Sequence, residues 1–101
     1  MTRMEKSYYV YILLCADESY YTGVTNDLEA RVYAHEQGLS GKYTKSHRPV
    51  KLVYAEETND IGGAIEREKR VKKWRRIKKE ALIKECDHLL PLLSKRYRPN
   101  R

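Results

Sequence analysis

The sequence predicts a small α/β domain of the α+β kind, a three-stranded, largely antiparallel sheet flanked by helices in the order β-β-α-β-α-α. Three observations carry this. A run of tyrosine, valine, isoleucine and leucine is followed by a short polar break and a second extended run. Apolar residues then recur at helical spacing on either side of a third strand-like stretch. Glycine, serine and proline punctuate the chain between them. At 101 residues the chain fits one domain, placed at 1–90, with 91–101 as a basic tail expected to be flexible.

Ser7 to Cys15 is apolar on both faces and reads as the first strand. The break Ala16-Asp17-Glu18-Ser19 is short enough for a hairpin, and Tyr20 to Val24 returns as the second strand. Asn26 is placed to cap a helix, with Glu29 in the capping-box position and Leu28 and Val32 on its buried stripe. That helix is expected to end near Gly38. Gly38 to Pro49 reads as a loop, and Lys51 to Glu57 as the third strand. Asp60 is expected to cap a second helix reaching about Trp74, with Ile61, Ala64, Ile65 and Val71 facing the sheet. A third helix is expected from about Arg76 to His88, before Pro91 breaks the chain.

Composition narrows the function classes. A chain this short forms one core and no large enclosed pocket, so a substrate site is expected to be a surface groove. No apolar stretch approaches the roughly 18 uncharged residues of a membrane span. The N-terminus reads as the approach to a strand rather than a signal peptide. Cys15 and Cys86 lack CxxC spacing, which argues against a zinc site or disulfide scaffold and points to a cytoplasmic setting. The net charge is +7, and between residues 60 and 84 ten Lys or Arg face four acids. Clustered positive charge gains free energy by displacing counterions from phosphate backbones, so the expected partner is nucleic acid rather than a membrane. A solvated helix face is the plainer reading of the same charge.

A few residues sit where packing alone would not choose them. Glu68 falls inside the apolar stripe of the second helix, whereas Glu66 lies on the opposite, basic face. A carboxylate among apolar neighbours is costly unless it is paired, as in a salt bridge to an arginine, or holds a cation. Arg31 and His35 are one helical turn apart beside Leu28 and Val32. Tyr9 and Tyr11 share one face of the first strand, and Tyr21 shares a face of the second with Gly23. Glycine weakens a strand interior unless something approaches it closely.

Tyr9-Val10-Tyr11, nine intervening residues and Tyr21-Thr22-Gly23 resemble the paired tripeptides of the GIY-YIG nuclease family. The resemblance runs through Arg31 in VTNDLEARVYAH, GKYTKSHRPVKLVY, and Glu68 in AIEREKRVKKW, covering roughly residues 7–85. The small stand-alone bacterial members, largely uncharacterised, look especially similar. It implies that Tyr11 and Tyr21 are the paired tyrosines, Arg31 the catalytic arginine, and Glu68 the ligand of a single divalent metal. His35 matches a position that holds His or Tyr in several members. Tyr9 stands where the first tripeptide has glycine, and Thr22 where the second has isoleucine. Val24 stands where the family's DNA-repair incision subunit carries a lysine.

The expected activity is endonucleolytic hydrolysis of phosphodiester bonds, in DNA more than RNA, with one Mg²⁺ or Mn²⁺ on Glu68 and no organic cofactor. Arg31 suits the non-bridging phosphate oxygens, because its fixed fork matches their geometry and keeps its charge. Tyr11 is the candidate to orient or deprotonate water, with His35 as a rival base, since a free phenol titrates near about 10. Binding is assigned to Lys42, Lys45, Arg48, Lys69, Lys72 and Lys73, which can track phosphates without reading sequence. Tyr11, Tyr21, Arg31 and Glu68 are expected to converge on one face of the sheet. The alternative is a non-catalytic nucleic-acid-binding module that keeps the same fold.

Overall fold

The most apolar segment becomes the centre of the sheet. In the computed structural model, which describes residues 6–85, β1 (Tyr8–Leu14) pairs antiparallel with β2 (Tyr20–Thr25) and β3 (Lys51–Thr58), giving the order β2-β1-β3. A strand covered on both faces needs apolar side chains on both, and Val10, Tyr11, Ile12 and Leu13 are all buried. On one face Tyr11, Leu13 and Cys15 pack with Leu28 and Val32 of α1 (Leu28–Glu36) and with Val50 and Leu52. On the other, Ile12 packs with Tyr54 and with Val71 of α3 (Ile61–Lys72), flanked by Trp74 and by Leu82 and Ile83 of α4 (Arg76–Glu85). Burying a large apolar side chain contributes about 1.5–3 kcal/mol, so these two clusters hold the helices in place. The β1–β3 register shifts between Ile12 and Leu13, pairing Ile12 with Tyr54 and Leu13 with Leu52. Val53 is thereby the extra residue, turned with Tyr54 toward the α3 side.

The expected elements are present, with corrections at their edges. The cap of α1 is Asp27 rather than Asn26, its carboxylate accepting from the Ala30 amide at 3.1 Å. The amide three residues beyond the true cap belongs to Ala30, so Glu29 is in no capping box. The segment read as loop holds a short helix, α2 (Lys42–Ser46), hidden in the sequence by the glycines and serines around it. Asp60 occupies the cap position of α3 but makes no side-chain capping bond, and α3 ends at Lys72. Its buried residues are Ala64, Glu68 and Val71, whereas Ile61 and Ile65 are exposed. The α3 stripe is therefore narrower than the apolar pattern implied, and Glu68 belongs to it more fully than the two isoleucines. Residues 86–88 of the expected last helix and the tail 91–101 lie outside the described residues.

Candidate active site

The site is organised around the Tyr11 hydroxyl. Tyr11 sits on β1 opposite Gly23 of β2, and a Cβ at residue 23 would collide with its hydroxyl oxygen. Glycine is required there by the close approach of the phenol. His35, in the last turn of α1, is almost wholly buried, and its Nε2 lies 2.9 Å from the Tyr11 oxygen. The Tyr21 ring meets the His35 ring edge-on at 5.1 Å and tilts beside Tyr11 at 6.5 Å. Arg31, one turn before His35, is exposed, and its guanidinium draws on the Tyr11 hydroxyl.

Burial, then the charge of Tyr21, pushes the Tyr11 phenol up to about 12 against the opposing pull of Arg31. Burial, then the Arg31 charge, holds His35 below its ordinary imidazole range. At neutral pH the pair is thus a protonated phenol facing a neutral imidazole, joined by a hydrogen bond.

Glu68 reaches this group from another direction. The apolar residues of α1 and α3 pack on opposite faces of the sheet. The Tyr11 hydroxyl points over Gly23 toward the edge strand β2, against which α3 lies. Glu68 is close enough to help raise Tyr11, and Lys72 close enough to feel Tyr21. Glu68 is buried and pairs with Lys72 Nζ at 2.7 Å, a lysine rather than the arginine considered for its salt bridge. Among the described residues no three His, Cys, Asp or Glu cluster as a metal cage. A lone buried carboxylate that draws in a cation fits a hydrated hard ion, which keeps several waters and uses one or two carboxylates.

Of the basic residues assigned to binding, Lys42, Lys45, Arg48, Lys69 and Lys73 are exposed. Lys72 differs, because it is engaged by Glu68, which raises its pKa. Sequence reading missed three residues beside the site. Thr44 of α2 is fully buried, with its hydroxyl 2.7 Å from His35 Nδ1. Tyr43 stacks between Tyr21 at 6.1 Å and His47 at 4.0 Å. All three lie inside the segment between Gly38 and Pro49, which the sequence marks only by its turn residues and its charge.

A sequence model of the GIY-YIG catalytic domain matches residues 7–81. The chain is 44% identical over 80 residues to a UPF0213 protein of Natronomonas pharaonis, covering 79% of this chain and 94% of that one. To a UPF0213 protein of Syntrophus aciditrophicus it is 49% identical over 78 residues, covering 76% and 90%. The solution structure of a UPF0213 protein from Bacillus halodurans matches with a TM-score of 0.56 at 36% identity, covering 88% of this chain and 95% of that one. With paired tyrosines, an arginine and a glutamate in order along the matched stretch, the chain belongs to the GIY-YIG nuclease family.

Proposed function

We propose that this chain is a metal-dependent endonuclease that hydrolyses phosphodiester bonds in nucleic acid, DNA before RNA. The observation that carries the reading is the buried hydrogen bond between Tyr11 and His35, with Arg31 beside it. In this reading a water attacks phosphorus, giving a proton to the Tyr11 oxygen as Tyr11 passes its own to His35 Nε2. The P–O bond to the leaving sugar oxygen breaks, and that oxygen takes a proton from solvent. A phenol near about 12 is too reluctant to ionise alone, so the two transfers run together and the charge rests on the imidazole. Arg31 holds the non-bridging oxygens and offsets the charge that grows on them. Tyr21 orients the phosphate or the His35 ring. Glu68 holds one Mg²⁺ or Mn²⁺, which when bound supplies Lewis-acid stabilisation of the phosphoryl group. Lys42, Lys45, Arg48, Lys69 and Lys73 track the backbone on either side. The catalytic unit of this reading is the single domain 1–90, in a cytoplasmic setting that suits the free, buried Cys15 thiol.

The test is cleavage by purified protein of single-stranded, duplex, nicked and branched DNAs and RNAs, with Mg²⁺ or Mn²⁺ and with chelator. Metal-dependent strand cutting that Tyr11→Phe abolishes supports the reading. A second reading, a non-catalytic nucleic-acid-binding module, is favoured by one observation, the Lys72–Glu68 pair, which gives Glu68 a structural partner. Salt-sensitive binding with no cutting of any substrate by either ion selects that module.

A further inference from the structure

The His35 ring has two nitrogens in hydrogen-bond contact, and their partners decide which one carries the proton. Nδ1 lies 2.7 Å from the Thr44 hydroxyl, and that hydroxyl lies 2.7 Å from the Ser40 carbonyl oxygen. A carbonyl has no proton to give, so Thr44 must spend its single hydroxyl proton on Ser40. Its oxygen is then left only as an acceptor toward His35, which makes Nδ1 the protonated nitrogen. Nε2 is left with a lone pair, and the Tyr11 hydroxyl at 2.9 Å donates to it. With the opposite tautomer, Nδ1 and Ser40 would compete for one proton inside a fully buried contact.

We infer that Thr44 is a positioning residue, whose hydroxyl fixes His35 in the Nδ1-protonated tautomer and so leaves Nε2 free to take the Tyr11 proton. This rests on the proposed function for its consequence, although the tautomer itself is a property of the folded chain.

The local fold is built to deliver that contact. Gly38, at φ +76°, closes α1 with its own amide on the His35 carbonyl at 3.1 Å and the Leu39 amide on the Ala34 carbonyl at 2.8 Å. This reversal turns the chain back, bringing the Ser40 carbonyl and then α2 against the end of the helix they follow. Thr44 bonds to the carbonyl four residues before it, a common habit of Thr in helices. The unusual part is that the same oxygen also meets a buried imidazole. A side chain that orients a working histidine through its second nitrogen typically changes activity ten- to a hundredfold when removed, on the order seen for partners of metal-bound histidines.

The experiment compares wild type, Thr44→Val and Thr44→Ser in the full chain at a pH where His35 is neutral. Long-range ¹H–¹⁵N correlation spectra read the His35 tautomer, the ring signals being assigned by their loss in His35→Gln. Wild type and Thr44→Ser should show a protonated Nδ1 and a bare Nε2. Thr44→Val, which keeps shape and loses the hydroxyl, should shift the ring toward the Nε2-protonated form. Cleavage of the best substrate should fall about ten- to a hundredfold in kcat in Thr44→Val with KM little changed, and return in Thr44→Ser. A wild-type ring protonated at Nε2 overturns the inference. So does a Thr44→Val ring that stays Nδ1-protonated, which would hand the role to the Ser40 carbonyl, or a Thr44→Val enzyme as fast as wild type. If wild type cuts nothing, the proposed function fails while the spectra still judge Thr44.

Discussion

His35 illustrates how much of the site depends on single buried groups. Its pKa is held down by burial and by Arg31, so the folded chain binds this proton less readily than the unfolded one. The imidazole therefore costs nothing at pH values above its ordinary value of about 6.5, and stability is lost as pH falls below that value toward the depressed one. Thermal melts from pH 8 to pH 5 should show wild type losing stability below about pH 6.5, and His35→Gln losing less. Equal slopes for the two proteins would mean that the imidazole titrates in the fold as it does in water. Thr22 is a second case. It stands between Tyr21 and Gly23, almost fully buried, and its hydroxyl has no hydrogen-bond partner among the described residues. An unpaired buried hydroxyl is unfavourable and valine is nearly its isostere, so Thr22→Val should raise unfolding free energy by about 1 kcal/mol in denaturant titration. The candidate residues Tyr11, Tyr21, Arg31, His35 and Glu68 could be selected from sequence because each breaks a local pattern or matches a motif. Thr44 could not, because its importance arises from a nine-residue return of the chain that no periodicity records.

At the scale of elements, the order of strands and helices was legible because each signal is local. Alternation of tyrosine with aliphatic residues marks β1, a short polar break marks the hairpin, and the Asp60 start marks α3. What was not legible depended on neighbours. Asn26 and Asp27 are both good caps, and only the geometry of the turn selects Asp27. Asp27→Ala should cost about 1 kcal/mol of stability, whereas Asn26→Ala should stay within about 0.5 kcal/mol, both read by chemical denaturation. The reverse ranking would mean that the α1 start is misassigned. Ile61 and Ile65 read as core because they fit a helical stripe, yet α3 approaches the sheet along Ala64, Glu68 and Val71. The same face buries Glu68, so the error in the core and the buried position of the carboxylate have one cause.

Across the whole molecule, charge and candidate site residues share the same helices. The exposed bases of α2 and α3 lie on the elements that carry Thr44 and Glu68. If five of these bases contact phosphate, affinity should drop on the order of a hundredfold or more over a fourfold rise in salt, with little dependence on sequence. Fluorescence titration of labelled strands at low and moderate salt reads this directly, and flat salt dependence would remove the charge argument. Glu68 is where the enzyme and the binding module part company. Its pair with Lys72 is half-open to water on the lysine side and contributes at most about 1 kcal/mol, so Glu68→Gln should fold nearly as well as wild type. The most direct measurement is metal-dependent cleavage by Glu68→Gln beside Glu66→Gln, the latter changed at an exposed carboxylate of the same helix. The account predicts that Glu68→Gln loses cutting by orders of magnitude, each factor of ten being about 1.36 kcal/mol, while binding holds or tightens and Glu66→Gln cuts normally. Cleavage that survives Glu68→Gln unchanged would contradict it.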